Sequence, residues 1–160
     1  MAALAREAPQ DTRVYMVGGT SAVLLGWRPS TMDIDLVIRP ENDAVLRAIP
    51  ALKERLHLNV ELASPDQFIP VPDGWPERGI FIATIGRMTF FHYDLYAQAL
   101  AKVERGHTRD LADVRAMLDR GLIESAKVRD YFQRIEPALY RFPAIDPPTF
   151  RRAVEEMFPQ

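Results

Sequence analysis

The stretch that decides the fold is VYMVGGTSAVLLGWRPSTMDIDLVI, residues 14–38. A β-rich run ends at a Gly-Gly pair, and a second run of alternating apolar residues follows after a short helical segment and a loop. Two carboxylates, Asp33 and Asp35, lie inside that second run. Burying an unpaired carboxylate is costly, so the pattern predicts a partner for these two side chains.

The composition excludes several kinds of site. The 160-residue chain has no cysteine, which excludes disulfides, zinc-thiolate sites and thiol nucleophiles. Its three histidines lack the spacing of a metal site, and its net charge of -2 argues against a generally basic nucleic-acid binder. No apolar run approaches the roughly 20 residues of a membrane helix, and the N-terminus lacks a secretory pattern. We therefore expect a cytoplasmic protein that does not associate with a membrane.

The order of predicted elements is that of an α/β protein. Strands are predicted at 13–17, 32–38 and 58–62, followed by a strand pair or one bent strand at 80–86 and 88–93. Helices are predicted at 21–26, 43–56, 93–104, 108–121, 125–139 and 147–158. We expect a single domain over residues 1–160, with a core at about 13–92 and a helical part at about 93–160.

Two local features refine the helix predictions. Thr20 or Ser21 is expected to cap the first helix after the glycines, since hydroxyl side chains satisfy free N–H groups there. Pro50 is expected to kink or divide the helix at 43–56, because proline lacks the N–H that an α-helix needs.

The Gly18-Gly19-Thr20 turn is a candidate anion site. Glycines let backbone amides approach a ligand closely, and the start of a helix adds partial positive charge. A tight turn that binds nothing is the alternative. The stretch lacks the Lys-Ser/Thr of a P-loop and does not fit the GxGxxG pattern, so these two phosphate sites are excluded.

Asp33 and Asp35 form a candidate metal site. At positions i and i+2 of a strand they project to the same face, roughly 7 Å apart at the backbone. Mg²⁺ is the usual cation for such a pair, because it favours oxygen ligands and shares them with substrate phosphates. The alternative is that the two aspartates lie on the exposed face of an edge strand and bind no metal.

Glu61 lies in the next predicted strand. It is a candidate third metal ligand or general base, and the alternative is that it points to solvent.

Cationic residues further along the chain could contact a phosphate. Lys102 near the end of one predicted helix and Arg109 at the start of the next flank a glycine-containing turn, where Asp110 or Asp113 could hold a cation in place. An ordinary solvated pair of helices with capping charges is the alternative. Arg28 either reaches phosphate or is exposed.

Together these motifs resemble the polymerase-beta-type nucleotidyltransferase superfamily, in which a Gly-Gly-Thr/Ser turn precedes an Asp-x-Asp strand. The long spacing between Thr20 and Asp33 resembles the abortive-infection toxin branch, which includes AbiEii-like and MenT proteins. The stretch at residues 100–114 is similar to the downstream Lys-x6-Arg-x-x-Asp-like element of that branch. Its sequence is LAKVERGHTRDLADV, in which Arg109 is followed directly by Asp110. The resemblance covers residues 13–122 approximately.

The resemblance implies an α/β fold with a nucleotidyltransferase-type mixed β-sheet core flanked by helices, and a helical C-terminal part. It implies that Asp33 and Asp35 bind two Mg²⁺ ions, for which Mn²⁺ could substitute, and that Glu61 matches the third acidic position, where such enzymes generally use Asp. The triphosphate and nucleotide contacts that it implies are Gly18, Gly19, Thr20, Lys102 and Arg109.

The implied activity is transfer of NMP from an NTP to an RNA 3′ end, such as that of tRNA, or to a protein hydroxyl. A toxin–antitoxin or phage-defence role is implied, with a cognate toxin or antitoxin as a possible partner. The alternative is a catalytically weak or inactive module of the same fold that acts through a protein partner. A third possibility, an RNA-binding domain, is disfavoured by the near-neutral charge.

Overall fold

The computed structural model describes residues 1–159, which divide into two compact units. The first unit contains Met1–Ser64 and Gly79–Tyr93. The second unit contains Pro65–Arg78 and the described chain from Asp94 onward. The division at residue 93 coincides with the start of the predicted helical part, whereas Pro65–Arg78, inside the predicted core range, belongs to the second unit.

The first unit contains a mixed sheet, with five strands among residues 1–159: β1 (Thr12–Val17), β2 (Asp33–Arg39), β3 (Asn59–Leu62), β4 (Ile80–Ile85) and β5 (Met88–His92). The strand order is β3-β2-β1-β5-β4. Pairs β1–β5 and β2–β3 are parallel, whereas β1–β2 and β4–β5 are antiparallel. This sheet and the helices described below confirm the predicted α/β class, and the segment at 80–93 is a strand pair.

Three helices belong to the first unit among the described residues: α1 (Ala2–Ala5), α2 (Gly18–Leu24) and α3 (Asp43–Leu56). Helix α3 supplies the crossover that the parallel β2–β3 pair requires. It begins where the side chain of Asn42 accepts hydrogen bonds from two backbone N–H groups, and it ends at His57 in the left-handed region, with φ of 51°.

Pro50 lies inside α3 and does not divide it. The residue is exposed, so its ring needs no space in the core, although it lacks the N–H that would bond the carbonyl of Leu46. On the opposite side, Val45, Ile49 and Leu52 are buried along one apolar face that spans the proline. Tertiary packing of this face therefore outweighs the local cost of proline.

The apolar core of the first unit lies on one face of the sheet. β1 and β2 contribute Val14, Met16, Leu36 and Ile38, which pack with β5 and with the buried side of α3. A fully buried side chain of this size stabilises a fold by about 1.5–3 kcal/mol. Because side chains alternate along a strand, this core places Asp33 and Asp35 on the other face of the sheet.

The second unit is helical, as the sequence predicts. Its α-helices among the described residues are α4 (Leu95–Arg105), α5 (Thr108–Asp119), α6 (Ser125–Ile135) and α7 (Pro147–Met157). Short 3₁₀ helices form at Pro65–Gln67, Pro76–Arg78 and Glu136–Arg141. In residues 1–159, no helix combines the length and the apolarity needed to cross a bilayer.

An ion pair between half-buried Arg78 and buried Asp94 secures the proline-rich segment of the second unit. Nε of Arg78 donates to Oδ2 of Asp94 at 2.6 Å, and the Tyr131 hydroxyl donates to the same oxygen at 3.0 Å. The other oxygen of Asp94 caps α4 by accepting the N–H of Tyr96 at 3.0 Å. Burial and the neighbouring Asp94 carboxylate raise the pKa of Tyr131, so this hydroxyl stays a donor.

Replacing Arg78 by alanine is expected to destabilise the protein by about 2–3 kcal/mol, because it leaves the buried Asp94 without its cation. Arg47→Ala is the matched control, since Arg47 pairs with Asp43 at 3.7 Å on the exposed surface. That change should cost less than about 0.5 kcal/mol. Urea denaturation measures both free energies of unfolding, and equal losses would contradict the role given to Arg78.

Candidate functional site

The glycine turn follows β1 directly and opens α2. Gly18 has φ of +57°, in the left-handed region, and Val17 is the N-cap residue without a side-chain cap. The prediction that Thr20 or Ser21 caps this helix is wrong. Gly18 turns the chain into helix two residues earlier, which places both hydroxyl residues inside α2.

The hydroxyl of Ser21 fixes α2 to the sheet. It donates to the backbone carbonyl of Met16 at 2.9 Å and shares a 3.0 Å hydrogen bond with Nδ1 of His92. A hydroxyl has one proton, so Nδ1 of His92 is the donor in the second bond. Burial lowers the pKa of His92, which favours this neutral imidazole.

The carboxylate of Asp35 lies against Gly18. A Cβ built at position 18 would lie 2.7 Å from Oδ2 of Asp35. The cause is the register of β1 against β2, which pairs Val17 with Asp35 and so places the next residue over the carboxylate. The glycine turn and the Asp-x-Asp strand, two separate motifs in the sequence, therefore meet in the fold.

The loop before β2 packs on the second glycine. A Cβ at Gly19 would overlap Oγ1 of Thr31 and would lie 3.4 Å from Nη1 of Arg28. The backbone carbonyl of Asp33 accepts hydrogen bonds from Thr31 at 3.0 Å and from Thr20 at 3.4 Å. Arg28 is half-buried, and its guanidinium lies beside the glycine turn.

Strand β3 brings a polar pair beside the aspartates. Asn59 is the register partner of Asp33, and Glu61 is the partner of Asp35. Nδ2 of Asn59 donates to Oδ1 of Asp33 at 2.7 Å and to Oε1 of Glu61 at 2.9 Å. Both aspartates are half-buried, whereas Glu61 is exposed.

Asn59 bonds one carboxylate oxygen of Asp33 and one of Glu61, and the role of these acids as metal ligands stays a prediction. Within residues 1–159, no three His, Cys, Asp or Glu side chains form a group that could hold a metal ion. Asp33 and Asp35 share a face of the sheet, and Glu61 is engaged by Asn59. Sequence reasoning missed Asn59, although its position two residues before Glu61 places both on one face of β3.

Lys102 lies in a buried charge network of the second unit. Its Nζ donates to Oδ1 of Asp110 at 2.8 Å and to Oδ2 of Asp113 at 2.6 Å. Arg105 donates twice to Asp110, each time at 2.8 Å. The network joins α4 to α5, and both candidate acids hold the cation. Arg109 is exposed in the first turn of α5.

Asp110 makes this network sensitive to acid. Burial raises the pKa of its carboxyl, but the hydrogen bonds from Arg105 and Lys102 outweigh that effect, so the pKa is lowered. A carboxyl with a lowered folded-state pKa binds fewer protons when folded than when unfolded. Its stabilisation is therefore present above a pH of about 4 and is lost as the pH falls through the folded-state pKa.

We expect Asp110→Asn to destabilise the protein by about 3 kcal/mol at a pH of about 6, because it leaves two cations around a neutral amide. The difference from the natural chain should narrow as the pH falls below about 4 and through the lowered folded-state pKa of Asp110, because the carboxyl of the natural chain then becomes protonated. Urea denaturation of both proteins over this pH range measures the difference in their free energies of unfolding. Asp43→Asn, at an exposed position, is the control, and a pH-independent difference for Asp110→Asn would contradict the expectation.

Gly18→Ala is expected to cost about 1–3 kcal/mol more than Gly86→Ala, because only the former adds a steric clash. Gly86 is a close control, since it has the same φ of +57° but nothing within 4 Å of a built Cβ. Both changes share the strain of an L-residue in the left-handed region. Thermal and urea unfolding compare the stabilities of the two variants. Equal losses in the free energy of unfolding would argue against the Gly18–Asp35 contact.

A comparison with protein families identifies a match over residues 1–142, to the model described as a nucleotidyltransferase of unknown function (DUF6036). No curated protein and no solved structure matched the chain. The matched range contains the glycine turn, Asp33 and Asp35, the Asn59–Glu61 pair and the α4–α5 network. Because it spans well over half of the chain, the protein belongs to this nucleotidyltransferase family.

Proposed function

We propose that this protein transfers a nucleoside monophosphate from an NTP to a hydroxyl acceptor, using a divalent metal ion held by Asp33 and Asp35. The observation that carries the proposal is the contact between the Asp35 carboxylate and the glycine turn, 2.7 Å from a Cβ position at Gly18. The proposed metal ligand and the glycine turn are thereby brought together. Membership in a nucleotidyltransferase family supports the same chemistry.

The residues fit a magnesium or manganese ion. Mg²⁺ is commonly bound by one or two carboxylates, with water and substrate phosphates as its other ligands. Asp33 and Asp35 supply half-buried carboxylate oxygens, and the absence of a Cβ at Gly18 leaves room for the Asp35 carboxylate. When bound, such ions neutralise phosphate charge and lower the pKa of an attacking hydroxyl. We propose that two such ions bind at the site.

The chain's own residues prepare the site for a triphosphate. Gly18 and Gly19 lack side chains, which makes room for the Asp35 carboxylate at the first glycine and for Thr31 and Arg28 at the second. Thr20 and Thr31 hold the backbone carbonyl of Asp33 and so fix the start of β2. Arg28 supplies a positive charge beside Gly19. In the transfer, the acceptor oxygen bonds to the α-phosphorus as the bond to the departing pyrophosphate breaks.

The finer assignments come from the resemblance to the abortive-infection toxin branch. We propose an RNA 3′ end, such as that of tRNA, or a protein hydroxyl as the acceptor, and a cytoplasmic role in a toxin–antitoxin or phage-defence system. Lys102 and Arg109 stay predictions as nucleotide contacts, and the resemblance alone carries Glu61 as a third acid. Lys102 keeps one ammonium N–H beyond the two that Asp110 and Asp113 accept.

A second candidate function is a catalytically weak or inactive binding module. The observation that favours it is an exposed glutamate at position 61, hydrogen-bonded to Asn59, where the resemblance implies aspartate. Calorimetry with an NTP separates the candidates. A catalyst should bind the nucleotide only together with a divalent metal ion, whereas a module that acts through a protein partner need bind neither.

Label transfer tests the proposal directly. The protein is incubated with each α-³²P-labelled NTP, Mg²⁺ or Mn²⁺, and either tRNA or a cell protein extract. Asp33→Asn and Asp35→Asn should each lower transfer by about 10²–10³-fold, because each removes a charged ligand while keeping the side-chain shape. Asp43→Asn, on the exposed surface of α3, should transfer as the natural chain does. Equal labelling by all of these proteins would refute the assignment.

A further inference from the structure

Asn59 lies between two carboxylates that belong to different strands. Its amide nitrogen has two protons, and the two short hydrogen bonds, 2.7 Å to Asp33 and 2.9 Å to Glu61, use both. Hydrogen bonds to ionised acceptors are stronger than those between neutral groups. The amide therefore links Asp33 to Glu61 across the β2–β3 pair.

The same contacts set how each carboxylate is presented. The bond from Asn59 engages Oδ1 of Asp33, which leaves Oδ2 of that half-buried carboxylate for another ligand. Glu61 is exposed, and its Oε1 is directed along its own strand to Asn59, two residues earlier. Residues i and i+2 of a strand are roughly 7 Å apart at the backbone, a separation that a long glutamate side chain helps to bridge.

We infer that Asn59 is a positioning residue for the metal site, and that Glu61 orients Asn59 instead of serving as a third metal ligand. The inference rests on the proposed function. Glu61 fixes the amide, and the amide fixes the carboxylate of Asp33 in the orientation that presents Oδ2. This arrangement gives a physical reason for glutamate at position 61, because the longer side chain reaches back to Asn59.

Hydrogen-bond partners of metal ligands influence affinity strongly. Replacing a group that orients a metal ligand typically lowers metal affinity by about 10–100-fold. Asn59→Ala removes both hydrogen bonds and should raise the dissociation constant for the metal by about 10-fold. Glu61→Gln keeps an oxygen that can accept from Asn59, so it should change the constant by less than about 3-fold.

The experiment titrates the full chain with Mn²⁺ alone and follows free Mn²⁺ by electron paramagnetic resonance. Asn59→Ala, Glu61→Gln and Asp33→Asn are compared with the natural chain. Thr84→Ala is the matched control, because Thr84 is a polar residue on the opposite edge strand whose hydroxyl shares a 3.3 Å hydrogen bond with Thr89. The expected order of affinity loss is Asp33→Asn, then Asn59→Ala, then Glu61→Gln, with none for Thr84→Ala.

Two results would overturn the inference while leaving the proposed function standing. One is a loss for Glu61→Gln as large as that for Asp33→Asn, which would make Glu61 a direct ligand. The other is unchanged affinity for a folded Asn59→Ala. Failure of the proposed function would give a different result: neither Asp33→Asn nor Asp35→Asn would weaken Mn²⁺ binding. The inference about Asn59 would then fail as well.

A second measurement keeps the inference testable if Asn59→Ala does not fold. Nuclear magnetic resonance follows proton exchange of the Asn59 side-chain amide without any metal. Exchange should accelerate several-fold in Glu61→Ala and in Asp33→Ala, because each change frees one amide proton, and should stay slow in Thr84→Ala. Equal exchange in all of these proteins would overturn the proposed link.

Discussion

The register between β1 and β2 is the constraint on which the site depends. It pairs Val17 with Asp35, so the chain leaves β1 at Gly18 directly over the Asp35 carboxylate. A shift of one residue would turn every β2 side chain to the other face of the sheet. The aspartates would then face the core, and Leu36 and Ile38 would leave it. Apolar burial therefore specifies the register, and the register positions the acids.

The acids of the two units have different hydrogen-bond partners. In the first unit, Asn59 supplies two N–H groups between Asp33 and Glu61. In the second unit, Lys102 and Arg105 neutralise Asp110 and Asp113. The two arrangements differ in consequence: cations balance the acids of the second unit, whereas a neutral amide leaves the acids of the first unit negative. The proposed divalent cation would balance this remaining negative charge.

The sequence predicted the elements well where a local pattern was strong. Alternation in MDIDLVI assigns Met32, Ile34, Leu36 and Ile38 to one face and the aspartates to the other. Leu36 and Ile38 lie in the core and Ile34 packs against it, whereas Met32, which precedes β2, is exposed. Local rules failed where tertiary contacts outweighed them. Pro50 is tolerated because the buried face of α3 holds the helix together, and α2 needs no hydroxyl cap because Gly18 makes the turn.

By itself, the sequence determined the α/β class, the strand that carries the two aspartates and the glycine turn before it, since these follow from alternation and from backbone freedom within short segments. Only the tertiary structure decided which side chains meet. The contact of Asp35 with Gly18, the link from Asn59 to Asp33 and the two partners of Lys102 all depend on strand register or helix packing. Those are set by the burial of residues distant in the chain, which no local pattern contains.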